Sequence, residues 1–216
     1  MRQKARRSTA KVPEKRRAAG KNRTFEGNKP QPMPFPVSKR LFTAAEYFRM
    51  GEVGILQETG IELINGEIVE MSPIGSKHLA CVNRLNALLT AILGSNAIVS
   101  VQNPVVTGEL SAPEPDISIL RYRSDFYASK LPHAEDVLLL IEVADSSLEY
   151  DRSVKRPLYA QSGIPEYWLV NLEKNEIEAF WEPAGDHYKF RELLRAGDTL
   201  QSRTIDLKLE VNQLLG

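Results

Sequence analysis

The chain has 216 residues, 42% of them hydrophobic, and its 28 Lys and Arg cancel its 28 Asp and Glu, so it can bury one core with some length to spare. Its single cysteine, Cys81, leaves no intrachain disulfide, and no apolar run approaches the ~20 residues that span a bilayer, which excludes a disulfide scaffold and a membrane-spanning helix. The zero net charge hides an imbalance: residues 1 to 40 hold 13 Lys and Arg against Glu14 and Glu26, a net +11, and the other 176 residues carry the compensating −11.

That basic front lacks periodicity and ends in Pro30, Pro32, Pro34 and Pro36. It reads as a disordered tail with a proline-rich linker over residues 1 to 40, ahead of one folded domain over residues 41 to 216. Arg6, Arg7, Lys15, Arg16 and Arg17 are candidate nucleic-acid contacts, since each phosphate-bound cation releases counterions and strengthens binding without sequence preference. A solvated extension, or a mistaken upstream start, accounts for the same residues more simply. An Arg-rich, acid-poor segment also fits an organelle transit peptide. With no secretory signal, a cytoplasmic protein is the expectation.

In the folded part, Thr43-Ala44-Ala45-Glu46 forms a capping box for a short helix to about Met50. Ile61 to Ile64 and Glu67 to Met71 flank Asn65-Gly66, a pair that tolerates positive φ at both central positions of a type I′ turn, so a β-hairpin is expected. Ser76 caps a helix to about Leu93, with Leu79, Val82, Leu85, Leu89 and Ile92 at steps of three and four and Gly94 as the stop. Residues 97 to 106 read as a strand. Two continuous apolar runs follow, Pro115 to Leu120 and Val137 to Val143, and each reads as a buried strand. The polar loop between them carries Arg121, Arg123, Lys130 and His133. A helix is expected over about 151 to 162; Pro157 fits only a first helical turn, so it starts near Arg152 or Ser153, or is kinked. Beyond it come strands at Tyr167 to Asn171, Glu176 to Trp181 and His187 to Leu194, then a strand and short helix within Ile205 to Leu215. Tyr167 and Trp168 read as core residues.

Asp116 heads the first buried run and Glu142 interrupts the second. Ionised carboxylates leave water only with compensation, so two on neighbouring core strands point to a shared cation. The alternative is two strand-end acids that face water or cap a neighbour.

These residues resemble the PD-(D/E)xK nuclease core, and the wider pattern is similar to the Uma2 (DUF820) family of restriction-endonuclease-like proteins. The resemblance rests on Glu62-Leu63-Ile64-Asn65-Gly66-Glu67-Ile68-Val69, Met71-Ser72-Pro73 with His78, Pro115-Asp116, Glu142-Val143, Asp151 with Lys155 and Tyr159, and Gly163-Ile164-Pro165-Glu166-Tyr167-Trp168, and it covers roughly residues 41 to 216. It implies an α/β (α+β) fold: a restriction-endonuclease-like core in αβββαβ order, its mixed sheet flanked by helices, with an N-terminal helix and hairpin and C-terminal antiparallel strands. It also implies a Mg²⁺- or Mn²⁺-dependent endonuclease acting on nucleic acid, with DNA the expected substrate. Asp116, Glu142 and the backbone carbonyl of Val143 would be metal ligands, and Lys155 would complete the catalytic set. In the plain motif the lysine stands two residues after the acid. Here that slot is Ala144, and Lys155 lies on the following helix, as in the Uma2 pattern.

On that helix Asp151, Lys155 and Tyr159 fall four apart, so Asp151 can position the ammonium or tune its pKa. The plainer account is a solvent-facing ion pair worth only ~0.3 to 0.5 kcal/mol. His78 is a further ligand or substrate contact, or a histidine making a local hydrogen bond at a helix end. Glu67 is either the extra acid of the site or an exposed hairpin residue. A catalytically silent nucleic-acid- or protein-binding module is the rival function, favoured by the −11 body, which repels a duplex unless its charge is concentrated at a metal site. A homodimer would supply two sites for cutting both strands, although no residue signals one.

Overall fold

The structure, a computed structural model, describes residues 38–215. The tail and its candidate contacts Arg6, Arg7, Lys15, Arg16 and Arg17 lie outside the described residues, as does the linker apart from its last three positions. Helix α1 (Ala44–Glu52) opens with the expected capping box: the Glu46 amide donates to Thr43 Oγ1 at 3.2 Å and the Thr43 amide to Glu46 Oε2 at 3.0 Å. The hairpin β1 (Ile61–Ile64) and β2 (Glu67–Glu70) turns through Asn65 and Gly66 at φ +52° and +79°. Glycine is required at the second of these for two reasons, because a Cβ there would come within 2.5 Å of the Leu41 Cβ at a φ that penalises other residues.

Next come α2 (Ser76–Leu93), β3 (Ala97–Val101), β4 (Ile117–Arg121) and β5 (Val137–Ala144). A helical segment follows in three parts: α3 (Leu148–Tyr150), a π-turn over Asp151–Lys155, and α4 (Arg156–Gln161). Then come β6 (Glu166–Asn171), β7 (Glu176–Ala184), β8 (His187–Arg195), β9 (Thr199–Gln201), β10 (Lys208–Glu210) and α5 (Val211–Leu215). Strands β3 to β8 form one six-stranded sheet in sequence order, antiparallel throughout except between β5 and β6, which the helical segment joins in parallel. The αβββαβ order is thus present in a mixed sheet flanked by helices. None of the described helices is long and apolar enough to cross a membrane.

Alternation along β5 sorts the core. Leu139, Ile141 and Val143 pack with Leu85 and Leu89 of α2, while Leu140 and Ala144 pack with Tyr159 of α4 and Tyr167 of β6. The two-residue period of a strand therefore places Glu142 on the α4 face, among large side chains.

Four expectations need correction. Gly75, not Ser76, caps α2, and no side chain bonds there. The apolar stripe of α2 runs through Cys81, Val82, Leu85, Leu89 and Leu93, leaving Leu79 and Ile92 exposed, because the sheet contacts a face rotated from the one the spacing suggested. Strand β3 stops at Val101, where Gln102 adopts φ +49° and turns the chain ahead of Pro104. The helix before β6 begins at Leu148 rather than near Arg152. Pro157 has no N–H and its ring would press on the Ser153 carbonyl; the Arg156 amide instead reaches back five residues to the Asp151 carbonyl, and the wider turn admits the proline.

Candidate active site

Pairing of Ile117 with Ile141 across β4 and β5 sets Asp116, one residue before β4, opposite Glu142. The Asp116 amide donates to Glu142 Oε2 at 3.2 Å, and Asp116 Oδ2 accepts the Val143 amide at 2.9 Å. His78, in the first turn of α2, brings Nε2 to 2.9 Å from Asp116 Oδ2, and Gln102 Nε2 reaches Oδ1 at 3.3 Å. The hydrogen bond to Asp116 holds the His78 pKa above its ordinary value, against the opposing effect of burial.

Lys155 comes from the π-turn. Its side chain is 2% exposed, which removes the reading of a solvent-facing ion pair, and Nζ donates to Glu142 Oε1 at 3.1 Å and to Glu62 Oε1 at 3.0 Å. Burial alone would lower its pKa, but Glu142, Glu62 and Asp151 more than offset it, so the ammonium stays charged. The Tyr159 hydroxyl donates to Glu142 Oε1 at 2.6 Å. Burial pushes the Glu142 carboxyl upward, with Lys155 the main opposing influence. The geometry favours the ionised form, since an amide, an ammonium and a phenol can all donate to its two oxygens and only the phenol could accept a carboxylic proton in return.

Asp151 is buried and its Oδ2 accepts the Ser147 hydroxyl at 2.6 Å. Burial raises its pKa, and its influence on Lys155 is through space rather than by a direct bond. Glu67 is exposed on β2 and does not line the cavity onto which these groups open. Glu62, by contrast, lines it: it is buried on β1, accepts both Lys155 and the Glu114 amide on Oε1, and leaves Oε2 without a partner. Its signal in the sequence was the one that marked Glu142, an acid interrupting an apolar run.

The cavity measures about 860 Å³, and Glu62, His78, Asp116, Glu142, Val143 and Lys155 are among its lining residues. Arg121, Arg123, Lys130 and His133 do not line it, because their loop leaves β4 from the end opposite Asp116. Among the described residues no group of three or more His, Cys, Asp and Glu side chains forms a ready-made cage. Mg²⁺ does not require one, since it takes one or two carboxylates and fills its remaining positions with water or substrate phosphate. The hard oxygens of Asp116 and Glu142 on an open cavity suit that mode.

The Uma2 family, described as "Putative restriction endonuclease", matches residues 44–212. The chain belongs to the Uma2 family. Among solved structures, this Uma2 chain is similar to a putative nuclease belonging to DUF820 from Anabaena variabilis, with 16% identity and a TM-score of 0.63 over 77% of this chain and 96% of that one. That likeness shows the restriction-endonuclease-like fold. The type IIG restriction endonuclease BpuSI also matches, at 17% identity and a TM-score of 0.39 over 67% of this chain and 17% of BpuSI, a likeness too distant to argue from. Comparison with curated proteins gave no match.

Proposed function

We propose that this Uma2 chain is a divalent-metal-dependent endonuclease that hydrolyses DNA phosphodiester bonds in the cavity between α2 and the π-turn. The carrying observation is the convergence of Asp116 from the approach to β4, Glu142 from β5 and Lys155 from the π-turn in one hydrogen-bonded cluster at the cavity wall. The family description and the fold shared with the DUF820 protein support the same reading.

Asp116 and Glu142, with the Val143 carbonyl, would hold Mg²⁺ or Mn²⁺. Such an ion supplies Lewis acidity toward a phosphoryl oxygen and lowers the pKa of bound water. The residues around it have separate tasks. Tyr159 and the Asp116 amide fix the Glu142 carboxylate, while His78 and the Val143 amide fix Asp116. Lys155 presents a charged donor that orients the attacking water or stabilises negative charge building on the phosphoryl oxygens. The water oxygen bonds to phosphorus and gives up one proton, the bond to one bridging oxygen breaks, and that oxygen departs carrying one proton, so that a single water is added across the bond.

The test is nicking of supercoiled plasmid by purified protein with Mg²⁺ or Mn²⁺, run beside an RNA substrate. Wild type is expected to nick DNA, and Glu142→Ala or Lys155→Ala to lose at least about 100-fold of the rate, the scale of removing one charge-stabilising donor. Equal nicking by both variants would expose a contaminant. A wild type inert toward DNA and RNA with either metal would leave the binding-module reading.

A further inference from the structure

We propose that Glu62 is a positioning residue for this reaction, holding the Lys155 ammonium at the cavity wall while Glu142 is engaged by a divalent cation. The inference rests on the hydrolase reading above. Lys155 Nζ contacts two carboxylates at nearly equal distance, Glu62 at 3.0 Å and Glu142 at 3.1 Å. If Glu142 and Asp116 spend their charge on a divalent cation, the ammonium loses one of its two contacting counterions and gains a cationic neighbour. A buried ammonium persists only beside a compensating anion, and Glu62 is the one left in contact with it.

The chain anchors Glu62 for that task. The Tyr47 hydroxyl donates to the Ile61 carbonyl at 2.9 Å, Leu63 bridges to Ala112, and the Gly66 amide donates to the Leu110 carbonyl at 2.7 Å. Glu62 Oε1 also accepts the Glu114 amide at 3.0 Å, which ties the carboxylate to the segment leading into Asp116. Leu63 belongs to a small core shared with Ala44, Tyr47 and Ala112, apart from the two faces of the large sheet. The N-terminal helix and hairpin therefore form a mount that carries Glu62 to a site otherwise built from the six-stranded sheet and its helices.

The experiment compares wild type with Glu62→Gln, which keeps the shape without the charge, and Glu62→Ala. Three quantities are read: kcat and KM for Mn²⁺-supported plasmid nicking, and, with saturating diamagnetic Mg²⁺ so that Glu142 is engaged, the ¹⁵N-detected signal of the Lys155 ammonium, which is visible only while that group is shielded from exchange with water. Glu62→Ala is expected to lose about 100-fold in kcat with KM within about threefold, as displacement of a reacting group does, and to lose the ammonium signal. Glu62→Gln is expected to fall between the two and to keep the wild-type unfolding temperature within a few degrees, separating positioning from folding. A Glu62→Ala protein that retains kcat within about threefold, loses only KM, or keeps the ammonium signal overturns the proposal. Inert wild type would overturn the hydrolase reading and the catalytic half of this one, and the ammonium signal would still decide whether Glu62 holds Lys155.

Discussion

Replacing Lys155 with methionine tests whether the cluster is an ion network or a set of neutral neighbours. Methionine keeps an unbranched stem of similar length, so packing loss is small, while two buried carboxylates, Glu62 and Glu142, lose the ammonium that lies 3.0 and 3.1 Å from them. Removing one partner of a buried ion pair costs about 3 to 5 kcal/mol, most of it the penalty of the stranded charge. A protein of this size loses roughly 2 to 4 °C per kcal/mol, so a drop of about 6 to 20 °C in Tm is expected by calorimetry. Adding Glu142→Gln to Lys155→Met neutralises one of the two stranded carboxylates. The double variant should recover about 1 to 3 kcal/mol of the loss, a non-additivity well above the ~0.5 kcal/mol seen between independent sites. A Tm within about 2 °C of wild type, or additive single and double variants, would show that Lys155 does not neutralise these acids, and the site built on it would have to be redrawn.

Two other predictions probe the surroundings of that cluster. Tyr159→Phe removes a 2.6 Å donor to Glu142 from a fully buried position. Urea unfolding should report a loss of about 1.5 to 3 kcal/mol, as for hydrogen bonds to charged groups, and a loss below ~0.5 kcal/mol would mean that the phenol does not support the carboxylate. Burial pushes the Cys81 thiol from an ordinary value of 9 to about 11, and its Sγ donates to the Leu214 carbonyl at 3.6 Å. An acid whose pKa rises on folding holds its proton longer in the folded state, so at pH 8 iodoacetamide should alkylate native protein roughly 100-fold more slowly than urea-unfolded protein on thiolate fraction alone. Similar rates in both states would refute the buried placement.

Much of the architecture was legible because its local signals agreed with its tertiary packing. The capping box at Thr43, the turn at Asn65-Gly66 and the two apolar runs around Asp116 and Glu142 each carry their own cause, and the structure has all four. The contacts of α2 were less legible. Leu79 and Cys81 both fit an apolar face, and which one turns inward depends on a sheet built from residues far along the chain. The π-turn at Asp151–Lys155 was beyond pattern reading, since fixed steps of three and four assume a regular helix and Pro157 forced a local exception. Glu62 carried a usable signal, but the neighbouring Asn65-Gly66 turn drew attention to Glu67. An acid beside a tight turn is ordinary, whereas one between Ile61 and Leu63 is the anomaly.

The cavity's charge bears on the order of events under the hydrolase reading. Glu62, Glu70, Glu114, Asp116, Glu142, Asp145 and Asp151 line it, against Lys155 and His78. The −11 of residues 41 to 216 is thus partly gathered at this one surface. Lys155 is already committed to two of these acids and His78 to a third, so an arriving phosphate meets a net negative wall. At an effective dielectric constant near 20, each uncompensated carboxylate about 7 Å away opposes a phosphate by about 2 kcal/mol, enough for two or three of them to abolish ordinary affinity. A cation held by Asp116 and Glu142 would reverse the sign at the position where, on that reading, the phosphodiester would sit. On the hydrolase reading, the acids that would repel DNA from this cavity include the two that would make it receptive by holding a divalent ion, so metal would precede substrate.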